Sequence, residues 1–151
     1  MILPHFNYCN LIWGRASASL LNRLIILQKQ AIRLCTGSQY RAHTDVLFKR
    51  LHTLPLLDMI TYKTGIFMYK YKHNMLPPAF INYFVTHSEI HSRNTRNRSD
   101  IYPPIFRTSR AQNQSIKNQG TKIWNSGIPA NLKCLFYHNF KKKYRKYLTM
   151  Q

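Results

Sequence analysis

Proton transfer, metal ligation and covalent attack each need particular side chains in reach of one another, and this chain is poorest in the carboxylates most such sites use. Asp45, Asp58, Glu89 and Asp100 are its only acidic residues, and no two lie closer than eleven residues. General acid–base pairs and metal-dependent phosphoryl-transfer sites are built from clustered carboxylates. Their dispersal argues against a self-contained hydrolase or two-metal polymerase. Three cysteines (Cys9, Cys35 and Cys134) and seven histidines formally permit a Cys–His nucleophile, but no flanking pattern supports one. His87 and His91 are spaced i, i+4, as are Cys134 and His138, and Cys35 precedes His43 by eight. Without a C-x-x-C pair these spacings fall short of a zinc module. No catalytic residue, metal ligand or cofactor is therefore expected. The odd, widely spaced cysteines read as reduced, mostly buried thiols of an intracellular protein, nuclear or cytoplasmic rather than secreted.

Phosphate binding is the chemistry for which the chain is equipped. From Ile101 to Gln151 it carries ten Lys and Arg and no Asp or Glu, and over its whole length 23 basic against 4 acidic residues give a net charge of +19. Such a field points to a polyanionic partner. Arg93, Arg96 and Arg98 are spaced along a polar loop where guanidinium groups can reach successive phosphates. Arg107, Arg110, Lys117 and Lys122 continue the track, and Lys141, Lys142, Lys143, Arg145 and Lys146 close it. Tyr102, Phe106, Trp124, Tyr137 and Tyr144 are interleaved and offer faces on which unpaired bases can stack, although Trp124 and Phe140 read more simply as core. If six to ten of the basic groups touch phosphates, log affinity should fall with log salt at a slope of about −5 to −9. Nothing resembles a base-reading module, so sequence preference should be weak. An anionic membrane is the lesser candidate, because the longest aliphatic run is Leu24–Leu27, far short of the roughly 18 apolar residues of a spanning helix. Met1–His5 has no signal-peptide pattern.

The elements that must position these groups read as helices. Leu20, Leu24, Leu27, Ala31 and Leu34 recur at helical spacing in a segment from about Ser19 to Cys35, with Ser17 or Ser19 as cap, Gly37 as terminator and the stripe as core. The apolar Tyr8–Gly14 should pack on that helix. Thr44 can cap a second helix with Asp45 in its first turn. A third spans Leu56 to His73, with Leu57, Ile60, Thr64, Phe67, Met68 and Tyr71 on one side and Lys63, Lys70 and Lys72 reaching solvent over apolar surface. Pro77-Pro78 stops it, and Pro78 can open a short helix through Phe84. Ser88 to Asp100 reads as an exposed loop or tether, and Ile116 to Trp124 as short extended pieces. Leu135 to Leu148 fits a basic amphipathic helix with Phe136, Phe140, Tyr144 and Leu148 in register. At 151 residues and 44% hydrophobic content, the chain can bury a real core.

With these residues in view, the chain resembles the region downstream of the palm in non-LTR (LINE-type) retrotransposon reverse transcriptases. The resemblance runs along nearly the whole length. Its pieces are Tyr8-Cys9-Asn10-Leu11-Ile12-Trp13-Gly14, Leu24-x-x-Leu27-Gln28-Lys29-Gln30-Ala31-Ile32-Arg33, Tyr40-Arg41-Ala42-His43-Thr44-Asp45-x-Leu47-Phe48, and Phe67-Met68-Tyr69-Lys70-Tyr71 with Leu76-Pro77 and Phe80. Asn94-Thr95-Arg96, Gly120-x-Lys122-Ile123-Trp124-Asn125 and Phe140-Lys141-Lys142-Lys143 complete the order. Arg93 stands where relatives often have Tyr, Thr121 where Pro is common, and the stretch from Trp124 to Pro129 is one residue longer than the family pattern. The resemblance implies a helical thumb and a basic extension that hold RNA template and nascent hybrid while a palm polymerises. The polymerase aspartates of the family are absent from this chain.

The combined expectation is a mostly α-helical protein: a small thumb-like helical domain over 1–84, a basic polar linker over 85–114, and a basic segment over 115–151 ending in an amphipathic helix. Its expected role is non-catalytic binding of RNA or RNA–DNA hybrid through phosphates, with a polymerase palm as a second partner and no membrane. The alternatives are a protein-interaction fragment whose Leu20–Leu34 stripe docks on another surface, and a decayed retroelement reading frame with no independent function.

Overall fold

The computed structural model describes residues 3–92 and 98–150. Among them the chain is mostly helical, and its only β pairing is an isolated antiparallel bridge between Thr86 and Ile101. Two short helices, α1 (Leu3–Asn7) and α2 (Asn10–Trp13), lead into the long α3 (Ala18–Thr36), then α4 (Thr44–Arg50) and α5 (Leu56–Lys72). A 3₁₀ turn at Pro78–Phe80 precedes α6 (His87–Ile90), α7 (Ser109–Gln114) and α8 (Ile116–Lys122). A π-helical turn over Ile123–Gly127, the short α9 (Ala130–Lys133) and α10 (Tyr137–Met150) complete the chain. The segment 116–124 is thus helical rather than extended. Ser115 explains its start, because its hydroxyl accepts from the Lys117 N–H and caps α8.

α5 is the hub. α10, α8 with the π turn, α2 and α3 all pack against it, which is why it is buried nearly all round. Four of its six expected core residues, Ile60, Thr64, Phe67 and Met68, are buried, whereas Leu57 is 53% exposed. One hydrophobic core runs from Leu54, Met59 and Met68 through Phe84, Ile101, Trp124 and Ile128 to Phe140, Tyr144 and Leu148. The terminal helix therefore shares its core with residues of the 1–84 segment. The approach of α10 to α5 is close at Gly65, where a Cβ would run into the Tyr144 ring. Within 85–114, the polar stretch is closed at its base. The His87 and Ser88 N–H groups donate to the Asp100 and Arg98 carbonyls at 3.1 Å, and the Asn125 amide clasps the backbone of Ile101 (2.9 Å and 3.3 Å).

α3 ends as its sequence requires. Gly37 sits at φ 61°, its N–H donates to the Leu34 carbonyl at 3.2 Å, and Ser38 N–H donates to the Arg33 carbonyl at 3.0 Å. Its orientation departs from the sequence expectation. The buried residues of α3 are Gln28 and Ile32, and Leu20, Leu27 and Leu34 are 52%, 57% and 83% exposed. The reason is a buried backbone gap. Gln28 donates to the Leu54 carbonyl at 3.1 Å and accepts from the Leu56 N–H at 2.9 Å, pairing the turn into α5 as a β ladder would. Satisfying those two groups fixes the face that α3 presents inward. Of the expected stripe, Leu24 and Ala31 are half-buried, while Leu20, Leu27 and Leu34 stay uncovered. Other expectations are corrected on similar grounds. The segment Asn10–Trp13 packs on α5, with Gly14 against Ile60. Thr44 is the first helical residue and His43 the cap position. The terminal helix starts at Tyr137, leaving Phe136 outside it and 85% exposed. All three cysteines are exposed rather than buried.

Candidate nucleic-acid interface

The inward face of α10 decides where its charges go. Phe140, Tyr144 and Leu148 are buried, the first two completely, and Phe140 stacks on Tyr69 with centroids 4.3 Å apart. With that face fixed at i, i+4, i+8, the remaining positions must face solvent. Lys141, Lys142, Lys143, Arg145 and Lys146 are accordingly all exposed. Lys141 and Arg145, one turn apart, fall on the flank beside α5. There they line a cleft of about 300 Å³ together with Tyr62, Lys63, Thr53 and Asn7, and no Asp or Glu lines it. Arg145 is anchored by donating to the His52 carbonyl at 2.8 Å, and the Tyr62 hydroxyl donates to the Lys141 carbonyl at 3.3 Å.

No acidic side chain offsets the positive groups that line the cleft. Lys63 is half-buried on α5 and is held below the ordinary lysine range, first by burial and then by the positive Lys141 and Lys70. Burial raises Tyr62, an effect that Arg145 partly offsets. Lys70 extends the patch, its ammonium 5.4 Å from the centroid of the Tyr137 ring. Like charges gathered around a half-buried lysine are unfavourable without a counter-charge.

The carboxylates do not line the cleft, although the Asp58 charge on α5 is felt by Tyr144 of α10. Glu89 and Asp100 both act on Lys72, and Asp100 also on Lys133, against the lowering effect of burial on each lysine. Asp58 is half-buried and raised by burial. Asp45 stands exposed in the first turn of α4.

Of the other expected contacts, Arg93 and Arg96 lie outside the described residues. Arg98 is exposed in the turn that closes the 85–101 segment, where its carbonyl accepts from Ser88. Arg107 and Lys122 are exposed. Lys117 lies 4.4 Å from the centroid of the Tyr83 ring. Arg110 lines a separate cavity with Arg15. The structure thus gathers Lys141 and Arg145 into one cleft and leaves Arg107, Arg110, Lys117 and Lys122 on other elements. Among the aromatics, Tyr102, Phe106 and Tyr137 are half-buried, and Trp124 and Phe140 are core as expected. Tyr144 is wholly enclosed and cannot stack on a base. Lys63 and Lys70, outside the expected contacts, belong to this positive patch. Their spacing of seven places both on one helix face, a signal present in the sequence.

Among the described residues, no group of three or more His, Cys, Asp or Glu side chains is arranged to hold a metal ion, and no helix is long and apolar enough to cross a membrane. No family model matches the chain, and no curated protein or solved structure matches it.

Proposed function

We propose that this chain is a non-catalytic binder of RNA or RNA–DNA hybrid, acting as the post-palm part of a non-LTR retrotransposon reverse transcriptase that its motifs resemble. The observation that carries the reading is the acid-free cleft between α5 and α10, where Lys63, Lys141 and Arg145 converge with Lys70 beside them. Phosphates laid along this cleft relieve the mutual repulsion of its lysines. Contacts to the backbone carry no sequence information, so binding is expected to be weakly selective among sequences. Catalysis belongs to a palm, which supplies the missing aspartates. Fluorescence anisotropy of labelled RNA and hybrid with the full chain tests this reading. A Lys141→Ala/Arg145→Ala double variant should weaken binding uniformly across sequences and reduce the salt slope by about 2. Primer extension tests the non-catalytic half, and robust Mg²⁺-dependent synthesis by the chain alone would overturn it.

A second reading has its own observation. Leu20, Leu27 and Leu34 stand exposed on α3, and apolar surface of this kind marks a protein contact. The polymerase palm fits that role. Size-exclusion chromatography separates the readings: a chain that self-associates through this stripe and ignores RNA favours the interaction role.

A further inference from the structure

A second cavity lies on the other side of α5 from the basic cleft. Its volume is about 550 Å³, and Arg15 and Arg110 both line it, with Ser17 and Gln119 between them and Leu57 and Ile60 forming an apolar wall. No acidic residue lines it. Arg15 is its unusual member. The guanidinium is largely buried and donates to the hydroxyl of Thr64, a neutral partner whose own proton goes to the Ile60 carbonyl at 2.8 Å. Its Nε is buried with no hydrogen-bond partner. Burial lowers the pKa of Arg15, and no charged neighbour counters that effect. A buried cation with a neutral partner and an orphaned donor is costly unless something negative arrives. The first turn of α3 also borders the cavity, and Ser17 at its cap position makes no side-chain cap hydrogen bond.

We infer that this cavity is a binding site for a phosphomonoester of mononucleotide size. The donor set selects the anion. Two guanidinium groups, with up to about ten N–H donors between them, suit the three acceptor oxygens of a terminal phosphate better than the two of a carboxylate. The volume beyond one phosphate, with Leu57 and Ile60 on one wall and Asn113, Gln114 and Gln119 among the other lining residues, accommodates the sugar and base it is carried on. This site does not rest on the RNA-binding reading, since Arg15 and its partners lie away from Lys63, Lys141 and Arg145.

The test follows the arginine side-chain Nε–Hε signals of the full-length chain by NMR as inorganic phosphate is added at constant ionic strength. Saturable movement of the Arg15 and Arg110 signals is expected, with nucleoside 5′-monophosphate binding more tightly than phosphate and the unphosphorylated nucleoside leaving both unmoved. Arg110→Gln, on an exposed helix, should keep the fold and weaken binding roughly tenfold, the effect of one charge-assisted hydrogen bond. Arg15→Lys should abolish the site, and the Arg110 variant keeps the test decisive if that protein does not fold. An Arg15 signal that stays still, moves equally with chloride, or is indifferent to Arg110→Gln would overturn the site. Equal affinity for phosphate and the mononucleotide would overturn the assignment of mononucleotide size. A 5′-phosphorylated oligonucleotide fixes the source: if it matches the mononucleotide the pocket takes strand ends, and if it fails to reach Arg15 the pocket takes free mononucleotides.

Discussion

Lys63 is where charge, burial and function meet most closely. Burial and its neighbours Lys141 and Lys70 lower its pKa, whereas a bound phosphate raises it again. Binding and protonation of Lys63 are therefore linked in the favourable direction. RNA affinity should fall as pH rises through the depressed pKa of free Lys63, below the ordinary lysine value of about 10.4. Lys63→Arg, charged throughout, should flatten that part of an anisotropy pH profile. Asp58 works in the opposite sense on stability. Its folded pKa is raised by burial, so the folded state disfavours the ionised form. The penalty is fully present above the folded pKa and disappears as pH falls below the unfolded value near 3.9. Asp58→Asn should raise the melting temperature at neutral pH, and the gap to the parent protein should close on acidification. Calorimetry of the two proteins across that range checks the sign. Gly65 is a packing prediction: Gly65→Ala places a methyl against the Tyr144 ring and should cost about 1–3 kcal/mol, read from urea denaturation.

At the scale of elements, α10 and α3 show what a sequence pattern can and cannot specify. The spacing of Phe140, Tyr144 and Leu148 has one amphipathic solution, because five cations among them cannot be buried. That helix, its inward face from Phe140 onward and its outward charges were legible, but its start was not, since Phe136 lies outside it and is exposed. α3 has two apolar faces: the heptad-spaced Leu20, Leu27 and Leu34, and the face of Leu21, Gln28 and Ile32. Periodicity alone favours the first. The second is buried because Gln28 completes the backbone hydrogen bonding of a turn 26 to 28 residues away, a tertiary demand that no local pattern reveals. A similar logic hid the Asn125 clasp on Ile101. The cleft was half legible: Lys141 and Arg145 stood out by density, and Lys63 and Lys70 were read as solvated lysines on a core helix. The exchange of faces on α3 has a measurable consequence. Leu27→Lys and Leu34→Lys should each change stability by no more than about 0.5 kcal/mol, while Ile32→Ala should cost about 2–5 kcal/mol. Urea melts of the three variants decide which face is core.

For the whole molecule, the uneven placement of charge is the governing fact. Glu89 and Asp100 moderate Lys72 and Lys133, while no carboxylate lines the cleft between α5 and α10. A compact chain with net charge +19 repels itself, and ligands that bind the folded form stabilise it by mass action. Added RNA should therefore raise the melting temperature, and the shift should shrink as salt screens the attraction. The most direct measurement is the affinity of the full chain for RNA and RNA–DNA hybrid across a salt series. Phosphate binding by the four cations of the cleft, Lys63, Lys70, Lys141 and Arg145, gives a slope of log affinity against log salt between about −3 and −4. A flat response, with affinity indifferent to salt, would contradict it.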